Sequence, residues 1–599
     1  MRVADYIFRT LADRGAKHVF LVTGGGAMHL NDALRREKRL RYICCLHEQA
    51  CAMAAEGYAR IAGSPGIVSV TTGPGGTNAL TGVLGAWVDS IPMLVISGQV
   101  KRATTIEAAP GIHLRQLGDQ EINIIDIVRP ITKYAVMVRR PEEIVPVLDR
   151  AWEECRSGRP GPVWIDVPLD IQAAELPDTL RPGAEPVPAR QAPDHALLRE
   201  AVERLRTARR PVIVAGNGVT LAGAREKFRK LMAQLHVPVL TTLSGIDLLP
   251  SDSPVFFGRP GILGERGANF ILQNADLLLV IGTRMSLRII GYDWKELARE
   301  AYRVMVDADP AEMAKPTFRV DCAIPADAGE FLTSLAAELP ELPPNEEWLA
   351  YCRRVRRDYP VVLPEHRART DRVSSYVLPE IIGNACRGDE IIVTGNGTAY
   401  TSTFQVMPLK PGMRMFANVG CASMGYGLPA AIGAALAGGD RNVICLTGDG
   451  SIQMNLQELQ TVLNLRLPLK LFVYNNDGYL SIKLTQNAFF GGERIGSDPG
   501  SGVVLPDLCR LAAAYGWPTF RLRNNREAEQ LVPEILAMAG PVFCEVLTDP
   551  LEQLGPKAAS KLLPDGSMVS CPLEDLAPFL PREEFRRNML IPPVDSHEM

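Results

Sequence analysis

Asn442-Val443-Ile444-Cys445-Leu446-Thr447-Gly448-Asp449-Gly450-Ser451, with the run 469–474 and the pair Asn475-Asn476 that follows it, decides how the rest of the chain is read. The run 442–447 has the length and β-branched content of a buried strand, and it ends in Gly-Asp-Gly, where small residues let the backbone approach a ligand. That is a phosphate-binding geometry. Segment 455–465 carries apolar residues at helical spacing, and 469–474 reads as a second buried strand that delivers Asn475 and Asn476 at its C-terminal end. Two strand ends therefore meet across one crossover helix, where open α/β sheets bind their ligands. Asp449, Asn476 and the backbone carbonyl of Gly478 offer hard oxygens to a divalent metal such as magnesium, which bridges to phosphate oxygens. Between His366 and His597 there is no histidine, which suits a hard ion.

Composition narrows the class. A chain of 599 residues exceeds what one hydrophobic core organises, so several domains are expected, and three fit best. Apolar residues make up 46%, charged residues 22%, and the net charge is −4, without the basic excess that neutralises nucleic-acid phosphates or holds a membrane surface. Neither nucleic acid nor membrane is an expected partner. Met1-Arg2-Val3-Ala4-Asp5-Tyr6 lacks an apolar signal core, so a cytoplasmic location is expected. The twelve cysteines are scattered without Cys-x-x-Cys spacing and read as reduced core thiols.

Along the chain, short apolar runs alternate with helical stretches, the pattern of doubly wound parallel sheets. In the first part, strands are expected at 18–22, 41–46, 67–71 and 93–98, and Gly-rich turns containing Gly25 and Gly73 through Asn78 follow two of them. Glu48 stands at the end of the second strand, before a helix at 50–62, among Ala50, Cys51, Ala52, Met53 and Ala54. A carboxyl in such apolar surroundings is a candidate for proton transfer. Segment 177–193 is proline-rich and reads as a linker. A second alternating unit has strands at 211–215, 237–242, 275–281 and 302–306, with Gly216, Gly218, Arg284 and Asp307 at their ends. A further linker is expected at 341–372. The third unit, 373–550, holds the opening stretch and a strand at 391–394 that ends in Gly395-Asn396-Gly397-Thr398.

GDGSIQMNLQELQTVLNLRLPLKLFVYNNDGY resembles the thiamin-diphosphate motif of the acetohydroxyacid (acetolactate) synthase large subunits, and HEQACAMAAEGYARIAG and ADLLLVIGTRMSLRIIGY resemble two other segments of that family in the same order. The resemblance implies three α/β domains with doubly wound parallel sheets: an aminopyrimidine-binding domain at 1–180, a nucleotide or FAD-type domain at 190–340 and a diphosphate-binding domain at 370–550. Residues 551–599 are left as a tail or lid. It also implies thiamin diphosphate, Mg2+ and a place for FAD. Glu48 becomes the glutamate that hydrogen-bonds the aminopyrimidine, Met424 the prop for the bent cofactor, Gln120 a donor-pocket residue, Arg284 an FAD contact and Arg288 the holder of a substrate carboxylate. Gly448, Gly450 and Ser451 surround the diphosphate.

Two acidic residues that the family has between the arginines are here Ser286 and Leu287, and the family's acceptor-pocket Gln-Trp pair is Leu484-Thr485. The expected reaction is decarboxylation of a 2-keto acid, pyruvate first, with transfer of the acyl unit to a carbonyl acceptor by a homodimer or homotetramer. Related decarboxylases carry two adjacent histidines for protonation, whereas His113 stands between Ile112 and Leu114, which favours carboligation. The alternatives are a larger polar acceptor such as a nucleotide-linked keto sugar, an oxalyl-CoA-type or other 2-keto acid decarboxylase, and an inactive cofactor-binding regulator.

Overall fold

The runs of Val, Ile and Leu that bury both faces of a strand require helices on both sides of a parallel sheet, and the chain builds three such sheets. A computed structural model describes residues 1–177, 190–562, 565–566 and 568–594. Most of the linker expected at 177–193, together with His597, lies outside the described residues.

The first sheet has six strands: His18–Leu21, Arg41–Cys44, Gly66–Val70, Met93–Gln99, Tyr134–Met137 and Pro162–Pro168. Counted along the chain, they lie in the order 2-1-3-4-6-5, all parallel. The third sheet, Ile391–Thr394, Arg414–Ala417, Val443–Gly448, Leu469–Asn475, Thr519–Leu522 and Val542–Leu547, repeats this order. Between them in sequence lies a five-stranded parallel sheet of order 2-1-3-4-5: Pro211–Ala215, Val239–Thr241, Leu277–Ile281, Tyr302–Asp307 and Cys322–Pro325. The protein is α/β. In each sheet strands 1 and 3 are neighbours whose connections diverge, and that is the switch point where such sheets seat ligands.

Two expectations need correction. Glu48 does not precede its helix but opens it: the helix is Glu48–Ala62, because His47 is the N-cap and its Nδ1 accepts from Gln49 N at 3.0 Å. The linker expected at 341–372 contains the helix Glu346–Asp358, capped by Asn345 and burying Trp348, Leu349, Cys352 and Val355 against Arg266–Gln273. Those four positions share one helical face, a signal that the flanking prolines obscured.

The first and third domains interlock through the helices Glu48–Ala62 and Gly427–Gly438. A Cβ at Gly433 would press on the Ala54 carbonyl and one at Gly57 on the Ala430 carbonyl, so backbone meets backbone and only glycine fits. Beyond the third sheet the chain is strapped down. Glu552 accepts from Ser374 Oγ and Ser375 N, and Leu573 and Leu576 offer carbonyls to Asn269 and Arg266 of the middle domain. None of the described helices is long and apolar enough to cross a membrane. All twelve cysteines are free, and eight are buried.

Candidate active site

At the switch point of the third sheet, Val443–Gly448 hands over directly to a short helix beginning at Asp449. Asp449 is 1% exposed; its Oδ2 accepts from Asn476 N (3.1 Å) and Gly478 N (3.0 Å) and its Oδ1 from Gly450 N (2.8 Å). Burial pushes its pKa up to about 6, against the pull of those three amides. Gly478 has φ 118°, and a Cβ there would run into the Ser497 carbonyl, so the turn that aims its amide at Asp449 needs glycine. Asn476 Nδ2 approaches Thr398 Oγ1 at 3.4 Å, while Asn476 Oδ1 is buried with no hydrogen-bond partner. Gly397 precedes the helix Thr398–Val406, and Ser451 Oγ accepts from Gly425 N (3.0 Å), next to Met424, which is 38% exposed.

The donors at this edge are a carboxylate, an orphaned amide oxygen and backbone carbonyls, the set a magnesium ion shared with a diphosphate takes. Among the described residues there is no cluster of three His, Cys, Asp or Glu that could hold a metal. By its donors, Asp449 and Asn476 Oδ1, this edge fits Mg2+ with a diphosphate.

The first sheet brings a second group to its own switch point. Glu48 is 9% exposed, and its Oε2 accepts from Asn78 Nδ2 at 3.0 Å. Asn78 lies in the first turns of the helix Pro74–Asp89, whose N-cap is Gly73. A Cβ at Gly73 would strike the carbonyl of Gln120, itself at φ 61°, so Gln120 is held against this edge. Gly25 opens the short turn Gly25–Ala27 after the first strand.

The middle sheet has a cavity of about 580 Å³ at its switch point, lined by Gly218, Arg284 and Asp307 together with Arg60, Asp89 and Arg159 of the first domain. Gly216 packs on Gly282 and Thr283 just behind it. Burial pushes Asp307 up to about 6. Arg288 is not among the cavity residues: its guanidinium lies 5.7 Å from the Tyr400 ring of the third domain.

Sequence comparison matches residues 1–123, 198–335 and 395–546 to three families described as thiamine pyrophosphate enzyme N-terminal TPP binding domain, central domain and C-terminal TPP binding domain. The chain belongs to the thiamine pyrophosphate enzymes. Acetolactate synthase isozyme 1 large subunit of Escherichia coli is 34% identical over 553 residues, covering 92% of this chain and 95% of that one. Isozyme 2 of the same organism is 32% identical over 584 residues (96% and 100%), and the Lactococcus lactis acetolactate synthase large subunit 31% over 566 (94% and 95%). This is a thiamin-diphosphate enzyme of the acetolactate synthase type.

In this enzyme several residues near the site escape a reading of sequence. Lys483 is 1% exposed and donates to the Asn476 carbonyl at 2.6 Å; burial lowers its pKa, and Asp449 opposes the shift. Its place in Leu480-Ser481-Ile482-Lys483-Leu484, a charge in an apolar run, was the available signal. Glu56 and Arg60, an i,i+4 pair, form a buried network with Asp89 and the Tyr426 hydroxyl of the third domain. Asn455 Nδ2 donates to Gln49 Oε1 (3.0 Å) and to the Gly425 carbonyl (2.9 Å), tying the Glu48 helix to the Met424 loop.

Proposed function

We propose that this enzyme decarboxylates a 2-keto acid, pyruvate first, and joins the remaining acyl unit to a carbonyl acceptor. The observation that carries the reading is the pair of switch-point groups, Glu48 with Asn78 on one sheet and Asp449 with the orphaned Asn476 Oδ1 on the other. Thiamin diphosphate, when bound, supplies the nucleophilic carbon and the electron sink that loss of carbon dioxide requires. Asp449, Asn476 and the Gly478 carbonyl would hold its magnesium, and Gly397, Thr398, Gly448, Gly450 and Ser451 its diphosphate. Gly25, Gly73 and Asn78 would frame its other ring, and Met424 would prop it bent.

Asn78 occupies Glu48 Oε2, and Oε1 would be the atom of this carboxyl available to exchange a proton with the bound cofactor. Arg288 holds the substrate carboxylate, and Gln120 closes the donor pocket. The cavity of the middle domain takes a nucleotide such as FAD through Gly218, Arg284 and Asp307, with Gly216 packed behind them, in a cytoplasmic protein. Incubation of the enzyme with pyruvate, cofactor, magnesium and a panel of 2-keto acids and aldehydes is expected to give 2-hydroxyketone products. Release of free acetaldehyde alone, with every acceptor, would make the enzyme a simple decarboxylase.

A larger or more polar acceptor is the second reading. Thr485, where the family resemblance implies an indole, is exposed on the helix Leu480–Phe489, and its Oγ1 donates to the Ser481 carbonyl. A threonine there leaves volume that an aromatic wall would fill. In that case keto sugars outcompete pyruvate as acceptors in the same panel.

Both edges of the site carry exposed apolar side chains in a single chain: Met28 (51%) and Leu46 (54%) near the Glu48 group, Met424 (38%) and Met454 (46%) near the Asp449 group. Clustered exposed apolar groups at a functional edge mark an interface. The active species is therefore at least a homodimer, a second copy covering each edge. Sedimentation at micromolar concentration is expected to give a dimer or tetramer; full activity in a sedimenting monomer would refute it.

A further inference from the structure

The Asp89 carboxylate belongs to the first domain but holds a loop of the third. It ends the helix Pro74–Asp89, whose first turns carry the Glu48 partner Asn78, and its side chain is 5% exposed. Its Oδ2 accepts from Arg60 Nη2 (2.7 Å) and Val419 N (2.9 Å), and its Oδ1 from Gly420 N (2.8 Å). Those two amides open the loop 419–425 that carries Met424. The next two, of Cys421 and Ala422, point at Asn418 Oδ1 (3.2 and 3.1 Å), and Asn396 Nδ2 donates to the Ser423 carbonyl at 2.8 Å. At the far end Gly425 N donates to Ser451 of the Gly-Asp-Gly-Ser turn. Ala422 adopts φ 54°, a conformation that L side chains rarely hold and that surrounding bonds must maintain.

We infer that Asp89 is a positioning residue for the cofactor: it sets the path of the Met424 loop and, through Met424, the bent shape in which the cofactor is held. The inference rests on the reading of Met424 given above. Bonds from a carboxylate to backbone amides are about twice as strong as neutral ones, so this anchor dominates the start of the loop. The competing role, gluing two domains through Arg60, is shared with Glu56, which takes Arg60 Nε at 2.9 Å and Nη2 as well. Glu56 does not share the bonds to Val419 and Gly420. Asparagine in place of Asp89 keeps one acceptor but turns an N–H towards either an amide or Arg60.

The test titrates the full-length enzyme and its Asp89→Asn and Glu56→Gln variants with thiamin diphosphate in excess magnesium by calorimetry. Near-ultraviolet circular dichroism of the bound cofactor is recorded at saturation. Asp89→Asn is expected to bind about tenfold more weakly, the cost of losing an outer-shell support, and to show a markedly smaller cofactor band even when saturated. Glu56→Gln should keep the unaltered band. An unaltered band in saturated Asp89→Asn, or an equal loss in both variants, would reduce Asp89 to domain glue. Should Asp89→Asn not fold, hydrogen exchange in the unaltered, cofactor-free enzyme decides: protected Val419 and Gly420 amides support the anchor, and unprotected ones overturn it. Met424→Ala separates the two readings, because an unaltered band in that variant refutes the role of Met424 irrespective of what Asp89→Asn does.

Discussion

Exchange of Asp449 for asparagine is expected to weaken thiamin diphosphate binding in the presence of magnesium by more than about 100-fold, beyond the 10–100-fold typical of losing an outer-shell partner. Asparagine is a cleaner change than alanine. Asp449→Ala should lose cofactor too, but it leaves the amides of Gly450, Asn476 and Gly478 without an acceptor, at about 1–3 kcal/mol for each buried donor. A calorimetric affinity within a few-fold of the unaltered enzyme would place the metal elsewhere.

The same carboxyl gives a pH signature. Magnesium takes the carboxylate only, and burial has pushed the group up to about 6, so affinity should fall about tenfold per pH unit below 6 and level off above it. In the cofactor-free protein the sign reverses. The folded pKa lies above the ordinary 3.8, so the stability contributed by the neutral form is complete below about pH 4 and is lost as pH rises through 6, on the order of 3 kcal/mol. Urea unfolding at pH 4 and 7 without magnesium should show that loss in the unaltered protein relative to Asp449→Asn; an identical pH dependence in both would refute the shifted pKa.

Legibility did not follow position in the sheet: the edge strands Arg41–Cys44 and Val239–Thr241 were expected from the sequence, whereas the central, buried Pro162–Pro168 and Val542–Leu547 and the edge strands Tyr134–Met137 and Thr519–Leu522 were not. Val443–Gly448 and Leu469–Asn475 are almost wholly buried, so their apolar runs stand out against any background. Tyr134–Met137 and Thr519–Leu522 are four residues long at the sheet edges and half-exposed, and pairing with a distant partner, rather than local pattern, makes them strands. The site divides in the same way. Asp449, Asn476 and Gly478 lie within thirty residues of one another on one crossover unit, and the spacing alone announces them. Asp89 and Gly420, or Glu56 and Tyr426, are more than three hundred residues apart, and no local period joins them. Lys483 sits between these cases: its burial depends on the Asn476 carbonyl seven residues earlier, reached only because the chain reverses at Gly478.

Replacement of Glu48 by glutamine tests the mechanism itself. The carboxyl opens the helix Glu48–Ala62 with 9% exposure and its Oε2 is committed to Asn78; in the proposed role its Oε1 would exchange a proton with the cofactor. In a pocket of low dielectric such a hydrogen bond is stronger than in water, and an unpaired group is correspondingly costly. Glutamine keeps the shape and can turn its carbonyl oxygen towards Asn78, so the fold and the Asp449 end of the site are expected to be undisturbed. It cannot give or take the proton. Cofactor affinity is therefore expected to change by only a few-fold, while proton exchange at the reactive carbon of the cofactor and turnover with pyruvate both fall by roughly two to four powers of ten, the range of a general acid–base group. Deuterium exchange into the bound cofactor, stopped by quenched flow and read by NMR, separates activation from every later step. Equal exchange rates in Glu48→Gln and the unaltered enzyme would show that another group moves the proton and that the switch point of the first sheet serves only to bind.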